Sequence, residues 1–310
     1  MRRWSTDMQN EWHITRGELL KKRFRHWLTG GRSAGQTVLY VLIFLLFALF
    51  AFSYLYILIW CFLSGLKTHS EVIMTPFSFP KNPDFGHYIE IFDFLEVNDV
   101  GFFGMLFNSI YFSIAGPVIS ILTTAMLAYV ASKYKFPGCR MLYFLSIAVM
   151  TLPIYGSGGA AYRFRYNLGL VDTYLVVILS IGGPGTTFLY FYAFFQNLSS
   201  TFIEAARIDG AGHYTIFFRI IIPLAMPILS ALFITTWIGA WSSYADAIVY
   251  YPQLPTLGVA IFTIQRDMTY YVRSDLLYAA CFIMCVPTLI IFAAFNNTIM
   301  KNVSFGGIKE

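Results

Sequence analysis

Uncharged stretches recur along this chain at about 38–63, 107–131, 141–157, 173–196, 222–245 and 276–297, each bounded by polar or charged residues. Crossing about 30 Å of hydrocarbon takes roughly 20 apolar residues in a helix, so each stretch is a candidate span. Lipid offers no partners to backbone N–H and C=O groups, and a helix satisfies them within one segment. The pattern therefore predicts an all-α integral membrane protein with six transmembrane helices. Composition agrees: 57% of the 310 residues are hydrophobic and 12% charged, with mean hydropathy +0.63. Length alone would allow two soluble domains, but so little polar surface could not coat them. The same figures exclude a disordered chain, and 21 basic against 16 acidic residues is too small an excess for a nucleic-acid binder.

The first span runs 26 uncharged residues, Val38 to Leu63, behind a basic leader. It is too long for a signal-peptide core and no small-residue cleavage site follows it, so it is expected to be retained. Basic residues mark the cytoplasmic side. With a cytoplasmic amino terminus, 15 of the 21 Lys and Arg fall inside, in residues 1–37, 132–140, 197–221 and 298–310, and six fall outside. The first outer loop, near 64–106, sets two lysines against Glu71, Asp84, Glu90, Asp93, Glu96 and Asp99, while Arg163 and Arg165 oppose the trend in the second. Both termini are thus expected in the cytoplasm, with a leader at 1–37, a membrane domain at 38–300 and a tail at 301–310. In the leader, Leu20, Phe24, Trp27 and Leu28 share one helical face and Lys21, Lys22 and Arg25 another. That pattern suits a helix lying in the headgroup layer or, equally, a disordered flank that only fixes topology.

Much chemistry is missing. The sequence has no G-x-x-x-x-G-K-[ST] phosphate loop, no H-E-x-x-H or other metal spacing among its five histidines, and no G-x-S-x-G nucleophile elbow. Cys61, Cys139, Cys281 and Cys285 form neither a disulfide framework nor a zinc set, and the close pair at 281 and 285 suits packing inside an apolar segment. Within the spans ionisable residues are almost absent, Asp246 at the outer end of the fifth being marginal. Carriers coupled to protons or sodium usually need intramembrane carboxylates. The expectation is a chain with no catalytic residue, no metal and no cofactor, whose energy source lies elsewhere. Gly182-Gly183-Pro184-Gly185, inside the fourth stretch, is either a kink in a helix or a loop at a misplaced boundary.

One expected cytoplasmic segment, residues 200–227, stands apart: Ser-Thr-Phe-Ile-Glu-Ala-Ala-Arg-Ile-Asp-Gly-Ala-Gly-His-Tyr-Thr-Ile-Phe-Phe-Arg-Ile-Ile-Ile-Pro-Leu-Ala-Met-Pro. Thr201 and Glu204 have capping-box spacing and start a helix, Ala205 and Ala206 continue it, and Gly210 stops it by allowing a left-handed backbone. A second short amphipathic piece carries Ile216, Phe217, Ile220 and Ile221 towards Pro223 and Pro227. The prediction is a helix-turn-helix on the inner face of the membrane, shaped for docking.

This segment resembles the EAA motif of ATP-binding-cassette (ABC) importer permeases, E-A-A-x-x-D-G-A followed by I-x-x-P. Glu204, Ala205, Ala206, Asp209, Gly210, Ala211, Ile220 and Pro223 all match. More particularly, the chain from about 38 to 310 resembles the smaller paired permease of carbohydrate importers of the maltose-transporter type. Supporting matches are Leu168-Gly-Leu-Val-Asp-Thr-Tyr174, the loop from Phe79-Pro80 to Tyr88, and the tail Gly306-Gly307-Ile308-Lys309. Two departures stand out: Ser199-Ser200-Thr201 replaces a usual proline, and Trp241-Ser242 replaces a usual Trp-Asn pair.

The resemblance implies a permease subunit of an importer for a carbohydrate, an oligosaccharide by the Trp241–Tyr250 stretch. Implied partners are a second homologous permease, two ABC ATPase subunits that bind ATP and Mg, an extracytoplasmic solute-binding protein and membrane lipid, in a bacterial or archaeal plasma membrane. Glu204, Ala205, Ala206, Asp209, Gly210 and Ala211 would contact the ATPase, although Glu204 could equally do no more than close its own capping box. Trp237, Trp241 and Tyr244 could stack on sugar in the pathway or simply sit in an interfacial aromatic belt. Two other functions stay open: an ABC permease for another solute class, and an ATP-independent channel or secondary carrier.

Overall fold

The computed structural model of the chain describes residues 34–134, 136–152, 157–267 and 273–303. The leader with its amphipathic face and the Gly306–Lys309 tail lie outside them. Met1–Trp60 and Cys61–Glu310 form two units. Helix α1, Ala34–Gly65, makes up the described part of the first and runs on into the second. Nearly every large apolar side chain from Val38 to Ile59 is exposed. A helix of a soluble domain would bury a stripe of them, and only lipid makes such exposure cheap.

The second unit is built round α4, Phe102–Lys133, which packs most extensively on α7, Thr186–Asn197, and α10, Ile222–Ser242. One face of α4 carries Phe103, Phe107, Ile110, Ile114, Val118, Leu122, Met126 and Val130, all exposed at spacings of three and four residues. The opposite face buries Phe102, Met105, Phe112, Ile121, Ala125, Ala128 and Tyr129. Both faces are apolar because one meets protein and the other suits lipid. At the end of α1, α2 (His69–Met74) and α3 (Gly86–Phe94) fold back over the chain. There the fully buried Lys67 ammonium donates to the carbonyls of Thr75, at 3.0 Å, and Pro76, at 2.9 Å. Arg273 donates to both carboxylate oxygens of Glu90, each at 3.0 Å, and also to Asp275. Glu90, one of the six loop carboxylates, thereby ties α3 to the start of the last helix, α13 (Ser274–Val303), in a bidentate geometry that suits arginine.

Among the described residues four helical runs are long and apolar enough to cross a membrane: Gly35–Gly65, Phe102–Lys133, His213–Ser242 and Ser274–Phe295. The third and fourth expected spans are shorter. Helix α5, Cys139–Thr151, has 13 residues, and the next described helix is α6, Ser157–Asn167. The fourth expected span, 173–196, is not one helix. A 3₁₀ turn, Tyr174–Leu179, precedes a non-helical link at 180–185, and α7 starts only at Thr186. Three glycines and Pro184, which has no N–H to donate, explain the break. Gly182 also has a packing reason to be glycine, because a Cβ there would overlap Thr124 Oγ1 and the Ser120 carbonyl of α4. Its own N–H donates to Thr123 Oγ1 at 2.9 Å.

The fifth span differs at both ends from the expected 222–245. It starts at His213 and stops at Ser242, so the second arm of the expected helix-turn-helix is the first turn of the span. Between α9, His213–Ile216, and α10 the chain widens into a π-helical turn, Phe217–Ile221. Pro223 and Pro227 remove two N–H donors from the ladder just beyond, and a wide turn absorbs such a mismatch. A two-residue hairpin, β1 (Glu96–Val97) with β2 (Val100–Gly101), departs from the all-helical expectation. Asn98 and Asp99 take φ of 53° and 61° at its tip, as a primed turn requires.

Candidate functional site

Helix α8, Thr201–Ile208, begins the segment matched to the EAA motif. Its start corrects the expected capping box: neither Thr201 nor Glu204 closes one. The N-cap is Ser200, whose side chain makes no capping bond, while the Ser199 hydroxyl before it accepts the Thr201 N–H at 3.3 Å and shares a short hydrogen bond with the Thr201 hydroxyl. Glu204 is thereby left exposed at the surface. At the other end Gly210 takes φ +79°, the Ala211 N–H donates to the Ala206 carbonyl at 2.9 Å and the Gly210 N–H to the Arg207 carbonyl at 3.0 Å. This pair of bonds is a Schellman motif, which needs a residue at ease with positive φ.

The element has two sides. Ile203, Ala206, Ile216 and Phe217 are buried in one cluster with Tyr129 of α4 and Phe188, Phe191 and Phe195 of α7. Ala206 is 7% exposed, so its small side chain serves close packing, and Ala211 is half-buried beside it. The other side presents Glu204, Ala205, Arg207, Asp209 and Gly210 together with Ile208, 87% exposed, and Tyr214, 76% exposed. Arg207 lies over the ring of Tyr134, whose hydroxyl shares a 2.8 Å hydrogen bond with His213 Nδ1. Bare apolar residues among charges on a side that is braced from behind make a surface fit for a partner.

Trp237 and Trp241 of the candidate pathway are core residues in this chain. Each is 3% exposed, their rings stack at 5.4 Å, and Trp241 Nε1 donates to the Met284 carbonyl at 3.1 Å. Tyr244, beyond the end of α10, is exposed and stacks at 4.3 Å on Phe262 of α12, Leu257–Asp267. The three are therefore not brought together round a cavity. A cavity of about 410 Å³ lies instead on the neighbouring face, lined from α4 by Phe112 and Ser120, from α10 by Thr236, and also by Ser180, Arg165 and Asp246. Sequence reading missed it because Arg165 and Asp246 stood out only as exceptions, to the charge rule and to the uncharged spans.

The wall of that cavity is held by a loop the sequence did mark. In Leu168–Tyr174, Gly169 and Asp172 take φ of +67° and +57°. The Asp172 N–H donates to the Tyr250 carbonyl at 2.9 Å, and its carboxylate accepts the Gln253 N–H at 2.9 Å. The Tyr174 hydroxyl donates to Asn108 Oδ1 at 2.8 Å, and Asn108 Nδ2 donates to the Pro255 carbonyl at 3.0 Å.

Residues 27–304 match the family of binding-protein-dependent transport system inner membrane components. The chain belongs to this family. As such it is a multi-pass membrane component of a transport system. Among its relatives, the diacetylchitobiose uptake system permease protein NgcG of Streptomyces coelicolor is 27% identical, across 80% of this chain and 82% of its own length. The arabinooligosaccharides transport system permease protein AraQ of Halalkalibacterium halodurans is 28% identical, across 85% of this chain and 94% of its own. The galactooligosaccharides transport system permease protein GanQ of Bacillus subtilis is 26% identical, across 86% and 94%. The permease also shares its fold with a chain from a crystal structure of a bacterial ABC transporter involved in the import of the acidic polysaccharide alginate. That likeness has TM-score 0.70 at 22% identity and covers 86% of this chain and 98% of the other.

Proposed function

We infer that this chain is a membrane-spanning permease subunit of an ATP-driven ABC importer for a carbohydrate, an oligosaccharide. The observation that carries the reading is the EAA segment itself: a Schellman-capped helix clamped to the bundle on one side and bare on the other, in a chain of the transport family whose similar relatives are named for oligosaccharide uptake. Residues 38–300 form the permease domain and cross the membrane six times. The short helices α5 and α7 belong to the third and fourth crossings. Residues 1–37 are a cytoplasmic leader and 301–310 a cytoplasmic tail.

The partners are a second, homologous permease, two ABC ATPase subunits and an extracytoplasmic solute-binding protein. Glu204, Ala205, Asp209 and Gly210 meet the ATPase directly, with Ala206 and Ala211 seating the element behind them. ATP and Mg are bound by the ATPase, and this chain contributes no catalytic group. Because α9 runs through the π turn into α10, movement of the docked element passes into the fifth crossing along a continuous helix.

Co-expression with the ATPase, sister permease and binding protein tests this reading. The expected result is a complex that retains the ATPase through purification and takes up oligosaccharide only with ATP. Uptake by this chain without any ATPase would overturn it. Orientation is checked by Ser200→Cys in intact cells: a membrane-impermeant maleimide added outside is expected to leave the cysteine unlabelled until the membrane is opened. Labelling of unopened cells would reverse the topology.

A further inference from the structure

We infer that this subunit carries its own contact site for a neutral saccharide, in the cavity lined by Arg165 and Asp246. The inference rests on the reading of the chain as an oligosaccharide permease and assigns the substrate contact within it. A volume of about 410 Å³ falls in the range of small-molecule sites, about 300–1,000 Å³. The guanidinium carbon of Arg165 lies over the ring of Tyr250, 4.0 Å from its centroid. Its Nη1 reaches only the Ala161 carbonyl, at 3.4 Å, and its Nε is buried without any hydrogen-bond partner. Across the same cavity the Asp246 carboxylate is exposed and forms no ion pair with Arg165. One donor and one acceptor of opposite charge thus line a shared space.

The chemistry that satisfies both is a vicinal polyol. One hydroxyl oxygen accepts from Arg165, and another hydroxyl donates its hydrogen to Asp246. Ser180 and Thr236 add neutral hydroxyls, and Phe112 gives an apolar wall for the C–H face of a sugar ring. With one positive and one negative group the site has no net charge, and a diuronate that pairs one carboxylate with Arg165 brings its second towards Asp246. The backbone beside the site is also held in place, because the Asp172 N–H donates to the Tyr250 carbonyl and the Asp172 carboxylate accepts the Gln253 N–H, each at 2.9 Å.

Equilibrium dialysis of the assembled transporter, without the binding protein, tests the inference. The probes are an equimolar mixture of diacetylchitobiose, arabinotriose and galactotriose and, separately, a diuronate, all read by mass spectrometry at equal amounts of complex. At least one neutral sugar is expected to bind the wild type in preference to the diuronate. Arg165→Gln and Asp246→Asn are each expected to weaken that binding by about ten-fold or more, and the isosteric Thr236→Val by about three-fold. Wild type that binds none of the neutral sugars or prefers the diuronate, or variants that bind as well as wild type, would overturn it. Failure here with the ATPase still co-purifying leaves the permease reading intact, whereas loss of the ATPase from the wild-type complex sinks that reading instead.

Discussion

Valine at Gly210 is expected to abolish oligosaccharide uptake, by at least about 20-fold, while the protein still reaches the membrane and assembles with its sister permease. The residue sits at φ +79°, where a β-branched side chain is strained by about 1–3 kcal/mol. A Cβ added there meets nothing within 4 Å in this chain, so the substitution does not disturb the permease's own packing. Its added bulk projects from the free side of the element, between Asp209 and the exposed Tyr214, and the strain opposes the Schellman turn that aims α9 away from α8. The damage is therefore directed at the partner surface. Uptake and ATPase retention are the two measurements. Alanine at Gly210 should give an intermediate loss, since it shares the unfavourable φ but adds less volume. Wild-type uptake and wild-type ATPase retention in Gly210→Val would reduce this turn to ordinary surface.

Alanine at Gly182 should act in the opposite way, by loosening the permease itself. Here φ is not the issue. The added methyl would overlap Thr124 Oγ1 and the Ser120 carbonyl on α4, and a backbone carbonyl cannot swing aside as a side-chain end can. Overpacking of this kind costs about 1–3 kcal/mol, and the thermal midpoint of the assembled transporter is expected to fall by about 5 °C. Less protein should also accumulate in the membrane. Combining it with Thr124→Ala should restore only part of the loss, because the Ser120 carbonyl remains in the way. An unchanged midpoint in Gly182→Ala would mean that the 180–185 link moves freely off α4. Two glycines in one chain thus separate two demands, a backbone angle at 210 and a close approach at 182.

What the sequence determined by itself was whatever depends on local composition and spacing. Too few polar residues to coat a soluble domain dictate a membrane protein, and the spacing of Glu204, Ala205, Ala206, Asp209, Gly210 and Ala211 marks the segment that resembles the EAA motif. Even the positive φ at Gly210 was legible, because a glycine placed after a run of helix formers has few other uses. Tertiary structure decided what local pattern leaves degenerate. Where lipid and protein core are equally apolar, periodicity cannot separate the buried face of α4 from its exposed one, nor show that Trp237 and Trp241 are packed inside. Nor can hydropathy see the break before α7, since Gly182 and its neighbours are apolar enough to read as a continuous span, and only the tertiary structure shows Gly182 set against Ser120 and Thr124. No capping box closes at Thr201 because three hydroxyls in a row, on Ser199, Ser200 and Thr201, compete for the same N–H groups, and Ser199 takes that of Thr201. Arg165 and Asp246, about 80 residues apart in sequence, share a cavity only because the loop pinned by Asp172 brings them there. Long-range juxtaposition of that kind leaves no periodic trace in a chain, whereas caps, turns and composition do.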